Sequence, residues 1–430
     1  EVKRMAEELK EELLPTASRE ARRCWPCEAS AWRIAAGSGL HVVPRLRLAD
    51  FQHSATTKER FFDLMFMLVI GNLTKLPLTA AGLAQMCFYF SLLWNLWVGV
   101  AFFNTRFDTD DVIARCFAFL DMLGVIGMAA GVQLPIWSPS GFCRVVGFYA
   151  LVRLGLVLKY VRVWLALPST RQLSSGFIRG FSLGVLSWAA AIAIAPTPTA
   201  LVWTFAAFGL AFDYGTPFAL LRGMVAVHKI HMPQRFSGFV ALMFIGVLFN
   251  FMQTLPTPTS AETMTRYLLH ASVMVNFAFF YVLLYSKLTG PLVEHEFAAS
   301  TMNKLRTYLY LYLHMPLKLT ITLASAAVRH TLCELPTAAN AECVDGVGRL
   351  LCLLCGAILL QLGALHLLEA ERNTRRCAIR VACAVKLLVV AVFPLDGITA
   401  LVIILAALGG QVIFDYFQWS APPTTAGPIV

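Results

Sequence analysis

The chain has 430 residues, of which 58% are apolar and 14% charged, with a mean hydropathy of +0.67. Soluble proteins carry about 25% charged residues, so this composition excludes an ordinary soluble enzyme and makes lipid the main solvent. The net charge of +10 does not point to nucleic acid, because the basic residues are scattered between apolar runs and not gathered on one domain.

Residues 1–58 read as a basic extension. Its first 14 residues carry Glu and Lys at turn spacing and lack the apolar core of a signal peptide, which predicts a surface helix. From Pro15 to Ala49 the sequence is irregular and holds Arg19, Arg22, Arg23, Arg33, Arg45 and Arg47, either against anionic headgroups or as a solvated tail. Cys24-Trp-Pro-Cys27 has dithiol spacing, but neither further zinc ligands nor a βαβ context accompanies it.

Apolar runs of about the 20 residues that cross a bilayer follow near 61–79, 82–103, 112–134, 141–163, 177–195 and 198–215. Six more lie near 237–255, 266–286, 305–328, 350–368, 377–393 and 396–418. The expected fold is therefore an all-α, polytopic transmembrane bundle of about twelve helices spanning 59–419, with 420–430 as a tail. Twelve crossings put both termini on one side. With that side cytoplasmic or its organellar equivalent, only Lys75, Arg144, Arg266, Arg329 and Arg349 of the 35 Lys and Arg fall outside, and Arg153, Lys318 and Lys386 fall within helices. Plasma membrane and organelle inner membrane both remain open.

A weak repeat relates Arg60-Phe61…Gly71 to Arg235-Phe236…Gly246. It suggests two parallel six-helix halves, 59–220 and 228–419.

The ionisable residues at membrane depth are the candidates for function, because an unpaired carboxylate there costs several kcal/mol. Glu59 and Asp63, four apart, share one face at the start of the first helix. They read either as a cation or proton site with Arg106 or Arg235 as counter-charge, or as a structural ion pair in a first turn. Asp121 and Arg153 lie 17 residues before and 15 after a turn near Ser138, so depth alone predicts that they pair. The Asn104–Asp111 stretch, with Arg106, Asp108 and Asp111, reads as a loop in which Asp110 or Asp111 caps the third helix and Arg106 ties the loop to a neighbour. The other reading is a cation site at a mouth. His314 and Lys318 flank Pro316, which frees a carbonyl and suits a polar pathway or a satisfied kink. Lys386 and His366 are further polar positions inside apolar runs. Cys333 and Cys343 share the longest outside loop, where an oxidising compartment would allow a disulfide. His228 and His231 are two ligands without a third, so no metal is expected. No phosphate loop, nucleophile elbow or paired catalytic carboxylates are present, which argues against an enzyme and gives no cofactor.

Several separated stretches resemble the bacterial low temperature requirement A (LtrA) family of multi-pass membrane proteins. They are Glu59-Arg-Phe-Phe-Asp63-Leu, then Trp94 and Trp97 leading to Asn104-Thr-Arg106-Phe107-Asp108-Thr-Asp110-Asp111, which is similar to the family's Asn-Arg-Phe-Asp-x-Asp-Asp signature. The order continues through Tyr149 and Arg153, Asp213 to Pro217, His231 with Arg235, and Tyr312-Leu-His314-Met-Pro316-Leu. Two acidic positions that the resemblance implies in the seventh helix are occupied here by Gln234 and Val247. Two functions are expected from this: a transporter or ion-conducting protein using some of Asp63, Arg153, Asp213 and His314, or a structural subunit of a larger membrane complex. The expected partners are the lipid bilayer and other membrane subunits or a second copy, with no nucleic acid.

Overall fold

In the computed structural model, residues 43–46, 56–195, 200–220, 231–254, a few positions between 261 and 271, 301–332, 346–368, 374–395 and 397–420 are described. The described residues form eleven α-helices, which we number in chain order: α1 Thr57–Leu73, α2 Ala80–Arg106, α3 Val112–Gly131, α4 Pro139–Ala166, α5 Arg171–Ile194 and α6 Ala200–Ala219. Then come α7 His231–Thr254, α8 Thr301–Leu332, α9 Val347–Leu367, α10 Thr374–Val390 and α11 Gly397–Ser420. Two-residue strands β1 (Arg45–Leu46) and β2 (Phe107–Asp108) pair antiparallel, with Arg45 opposite Asp108 and Leu46 opposite Phe107. Part of the segment expected to be irregular is thus bound to the loop between α2 and α3.

The helix starts are written in the sequence. Thr56 and Glu59 form a capping box on α1, in which Glu59 Oε2 accepts from Thr56 N at 2.8 Å. Thr79 caps α2, Asp111 caps α3 through Ala114 N at 2.8 Å, and Ser138 caps α4 ahead of Pro139. At the opposite end of the bundle Gln85 of α2 donates to Val132 O and Leu134 O and accepts from Ile136 N, which ties the α3–α4 turn to α2.

Helix α2 is the core. Of its apolar window 83% is buried within the protein, against 28% for α3 and for the segment containing α5, which show Phe119, Leu123, Leu183 and Leu186 to the surroundings. In a membrane those outer faces meet lipid tails. Small residues draw α5 and α6 together. A Cβ on Gly176 would meet Leu220, one on Gly180 would lie 2.1 Å from Thr216 Oγ1, and one on Gly184 would lie 3.1 Å from Asp213 Oδ1. One turn further, Trp188 covers Gly209. This four-residue stripe seats α6 so that Asp213 reaches the interior.

Six helices of the described residues have the length and apolarity to cross a membrane, not twelve. Helices α1 and α10 have 17 residues each and include charged groups, which shortens their apolar runs. Most of the run expected near 266–286 lies outside the described residues, as do the N-terminal surface helix, Cys24, Cys27, His228, Cys333 and Cys343. The two halves are not supported either. Arg60 and Phe61 are exposed, whereas their expected equivalents Arg235 and Phe236 are each 1% exposed, so the matched letters serve opposite faces. Lys386 is also exposed on α10.

Candidate functional site

Two buried charge centres share α2 as their common wall. In the first, α1, α2, α7 and α8 meet. Arg235 of α7 donates to Asp63 Oδ1 at 2.7 Å and lies 3.1 Å from Glu59 Oε1. Trp97 Nε1 of α2 donates to the same Asp63 oxygen at 2.7 Å. The helical spacing predicted the pairing of Glu59 and Asp63 on one face, and of the two counter-charges considered, Arg235 is the partner. Glu59 also serves the capping box, so part of its role is structural.

Beside this pair stands Lys318. Its Nζ is buried with no hydrogen-bond acceptor among the described residues, and four rings surround it. Their centroids lie 4.7 Å away for Trp94, 4.4 Å for Trp97, 4.9 Å for Phe236 and 4.3 Å for Phe239. Ring quadrupoles stabilise a cation by roughly 2 kcal/mol when desolvated, well below the cost of burying an ammonium without a hydrogen bond. One turn away, His314 Nδ1 lies 2.8 Å from Tyr310 O of its own helix, and its ring packs edge-on against Phe236.

The second centre joins α4, α5 and α6. Arg153 forms a fully buried pair with Asp213 through its Nε, at 2.9 Å, and its Nη2. The other carboxylate oxygen of Asp213 accepts from Tyr149 Oη at 2.5 Å and Trp188 Nε1 at 3.0 Å. Arg153 also stacks over Phe181 at 4.2 Å and reaches Asn95 O at 3.5 Å. A Cβ at Gly99 would stand 2.8 Å from Arg153 Nη1, so glycine there gives the guanidinium its passage along α2. Asn95 lies between Trp94 and Trp97 in sequence, so one stretch of α2 serves both centres.

The expected pair of Asp121 with Arg153 is corrected: Asp121 is bound by Lys159. Depth was the wrong criterion, because it ignores which face of the helix a residue occupies. The α4 face that packs on α3 runs through Val145, Phe148, Val152 and Gly155, which meet Gly131, Gly127, Gly124 and Leu120. Lys159 continues this stripe and Arg153 does not.

At the end of the bundle where α1 and α3 start, the signature loop is held by ions. Arg162 binds the cap residue Asp111, Lys58 reaches Asp110 at 2.5 Å, and buried Arg106 donates to Tyr308 Oη of α8 at 2.6 Å. The hydrogen bond from Lys58 is the main cause holding the Asp110 carboxyl below its ordinary value of 3.8. A pocket of about 180 Å³ opens here, and its lining includes Glu59, Asp108, Asp110, Asp121 and Lys159.

The structure therefore gathers Glu59, Asp63 and Lys318 at one centre, with His314 against its wall, and Arg153 with Asp213 at another; Asp108, Asp111 and Asp121 belong to the mouth. Sequence reasoning missed the ring cage, Lys159 and the glycine stripe. The Gly-x-x-x-Gly-x-x-x-Gly spacing of 176, 180 and 184 was the available signal for the stripe. No group of three or more His, Cys, Asp or Glu arranged to hold a metal occurs among the described residues.

The family model for bacterial low temperature requirement A protein (LtrA) matches residues 54–414. No curated protein and no solved structure matches the chain. The match takes in both charge centres and the signature loop and covers most of the sequence, and the chain belongs to the LtrA family.

Proposed function

We propose that this protein is a membrane transporter or ion-conducting protein whose ion-handling centre is Asp63, Arg235 and Lys318. The observation that supports this reading most strongly is the Lys318 amino group, enclosed by four rings without a hydrogen-bond acceptor among the described residues and set beside a carboxylate that already serves two donors. An apolar side chain would fill that space at lower cost, so an ionisable group held there argues for a task such as accepting or releasing a proton or meeting a passing ion. Further buried donors without a protein acceptor among the described residues, Trp94 Nε1, Asn95 Nδ2 and Tyr312 Oη, lie on the same two helices, α2 and α8. Polar groups of this kind are stations at which water or an ion can be held. Termini on the cytoplasmic side, inferred from the distribution of the basic residues, are part of the same reading.

The test is proton and monovalent-cation flux in proteoliposomes. Lys318→Met and Asp63→Asn are expected to abolish flux while Lys318→Met leaves the protein folded. Flux equal to that of the unaltered protein in both variants overturns the proposal. The alternative, a structural or assembly subunit, draws on the neutral Gln234 and Val247. It predicts a stoichiometric complex with other proteins in mild detergent.

A further inference from the structure

The pocket at the start of α1 and α3 is built unevenly. Its charged lining consists of Glu59, Asp108, Asp110 and Asp121 with Lys58, Lys159 and Arg162, of which Glu59 is paired with Arg235 and Arg162 with Asp111. Asp121 is 1% exposed; Lys159 engages its Oδ2, and its Oδ1 has no hydrogen-bond partner. A buried carboxylate oxygen left in this way is an acceptor for a donor that the protein itself does not supply. Three phenylalanines, Phe103, Phe107 and Phe117, give the same pocket an apolar wall. Towards the surroundings, Lys58 and Asp110 pair at its rim with side chains 46% and 62% exposed.

From these features we propose that the pocket binds a small organic ammonium, its N–H groups donating to Asp121 Oδ1 and its alkyl part lying against the phenylalanines. A bare divalent ion fits less well, because the described residues offer no metal-ligating cluster and a ring-lined wall gives it nothing. An anion fits less well because the open acceptor would repel it. The size also bounds the ligand: a cavity of ~150 Å³ accommodates a benzene ring, so about 180 Å³ holds a molecule of roughly six non-hydrogen atoms. The inference deepens the transport reading by naming a ligand class for its mouth, and it rests on that reading only for the ligand's passage across the membrane, not for its binding.

The experiment uses the full chain in mild detergent, with butylammonium as the probe and butyrate as an anion of like size, monitored by ligand-observed NMR. Butylammonium is expected to bind and butyrate not. Asp121→Asn removes the charge at nearly constant volume, and Ala118→Leu fills the pocket without touching any charge. Each is expected to weaken butylammonium by about tenfold or more. Should Asp121→Asn unfold because Lys159 loses its partner, Ala118→Leu still decides. Butyrate binding equally well, no butylammonium bound by the folded protein, or Ala118→Leu binding like the unaltered chain overturns the site. Binding in detergent without flux in liposomes removes the transport reading and leaves this site standing; flux without butylammonium binding does the reverse.

Discussion

Arg235 of α7 donates to Asp63 of α1 at 2.7 Å across 172 residues of sequence, and both side chains are nearly inaccessible. A chain that lacks acids at positions 234 and 247 of its seventh helix therefore neutralises that helix's arginine with carboxylates from the first. Removing one partner of a buried pair costs about 3–5 kcal/mol, whereas replacing both with apolar groups is often neutral. Arg235→Leu should lower the unfolding temperature sharply in detergent, and Asp63→Leu combined with Arg235→Leu should recover most of the loss. Equal melting of the single and double variants would count against the pair.

Around Asp213 the expectation concerns single hydrogen bonds. Tyr149→Phe and Trp188→Phe each remove a donor to a buried carboxylate, worth about 1.5–3 kcal/mol for a charged acceptor. Since both bind the same oxygen, their effects should not add. Thermal unfolding of the two single variants and the double variant measures the coupling.

The α5–α6 contact gives a contrast between glycines. A side chain at Gly180 would run into Thr216, whereas a Cβ at Gly147 or Gly215 meets nothing within 4 Å. Gly180→Val should destabilise by roughly 1–3 kcal/mol or more through overpacking. Gly147→Ala and Gly215→Ala should be neutral or stabilising by up to about 1 kcal/mol through higher helix propensity. Equal stability of all three variants would show that the stripe does not set the spacing.

At the signature loop a pH dependence arises from Asp110. Its carboxyl titrates below its ordinary 3.8, mainly because Lys58 donates to it. The contribution of this pair is present above 3.8 and is lost as pH falls through the lowered folded-state value. Both side chains are largely exposed, so the effect is small and weakens with salt. The amide protection factors of residues 107–111, taken relative to the intrinsic exchange rate at each pH, should fall at acid pH in the unaltered chain, and in Lys58→Ala they should be lowered already at neutral pH.

How far the sequence disclosed this molecule depends on whether a feature is local. The caps at Thr56, Thr79, Asp111 and Ser138 rest on residues three apart, and hydropathy located the starts and ends of most helices. Of the expected crossings not among the six membrane-length helices, α1 and α10 have only 17 residues and carry charged groups, and most of the run near 266–286 lies outside the described residues. The charge partners were harder. Asp63 with Arg235 was one of two options that composition allowed, and Asp121 with Arg153 failed because a depth argument carries no azimuth. The ring cage was invisible for a different reason: Trp94, Trp97, Phe236 and Phe239 come from two helices far apart in sequence, and nothing in a single chain of letters says that a lysine from a third helix enters between them.

The two-residue ladder between β1 and β2 has a mechanical consequence. Arg45 and Leu46 hold Asp108 and Phe107 by backbone hydrogen bonds, and Phe107 and Asp108 are themselves part of the pocket wall. The basic extension is thus a handle on the mouth. A pull transmitted to Arg45 and Leu46 acts through those few bonds on the pocket wall.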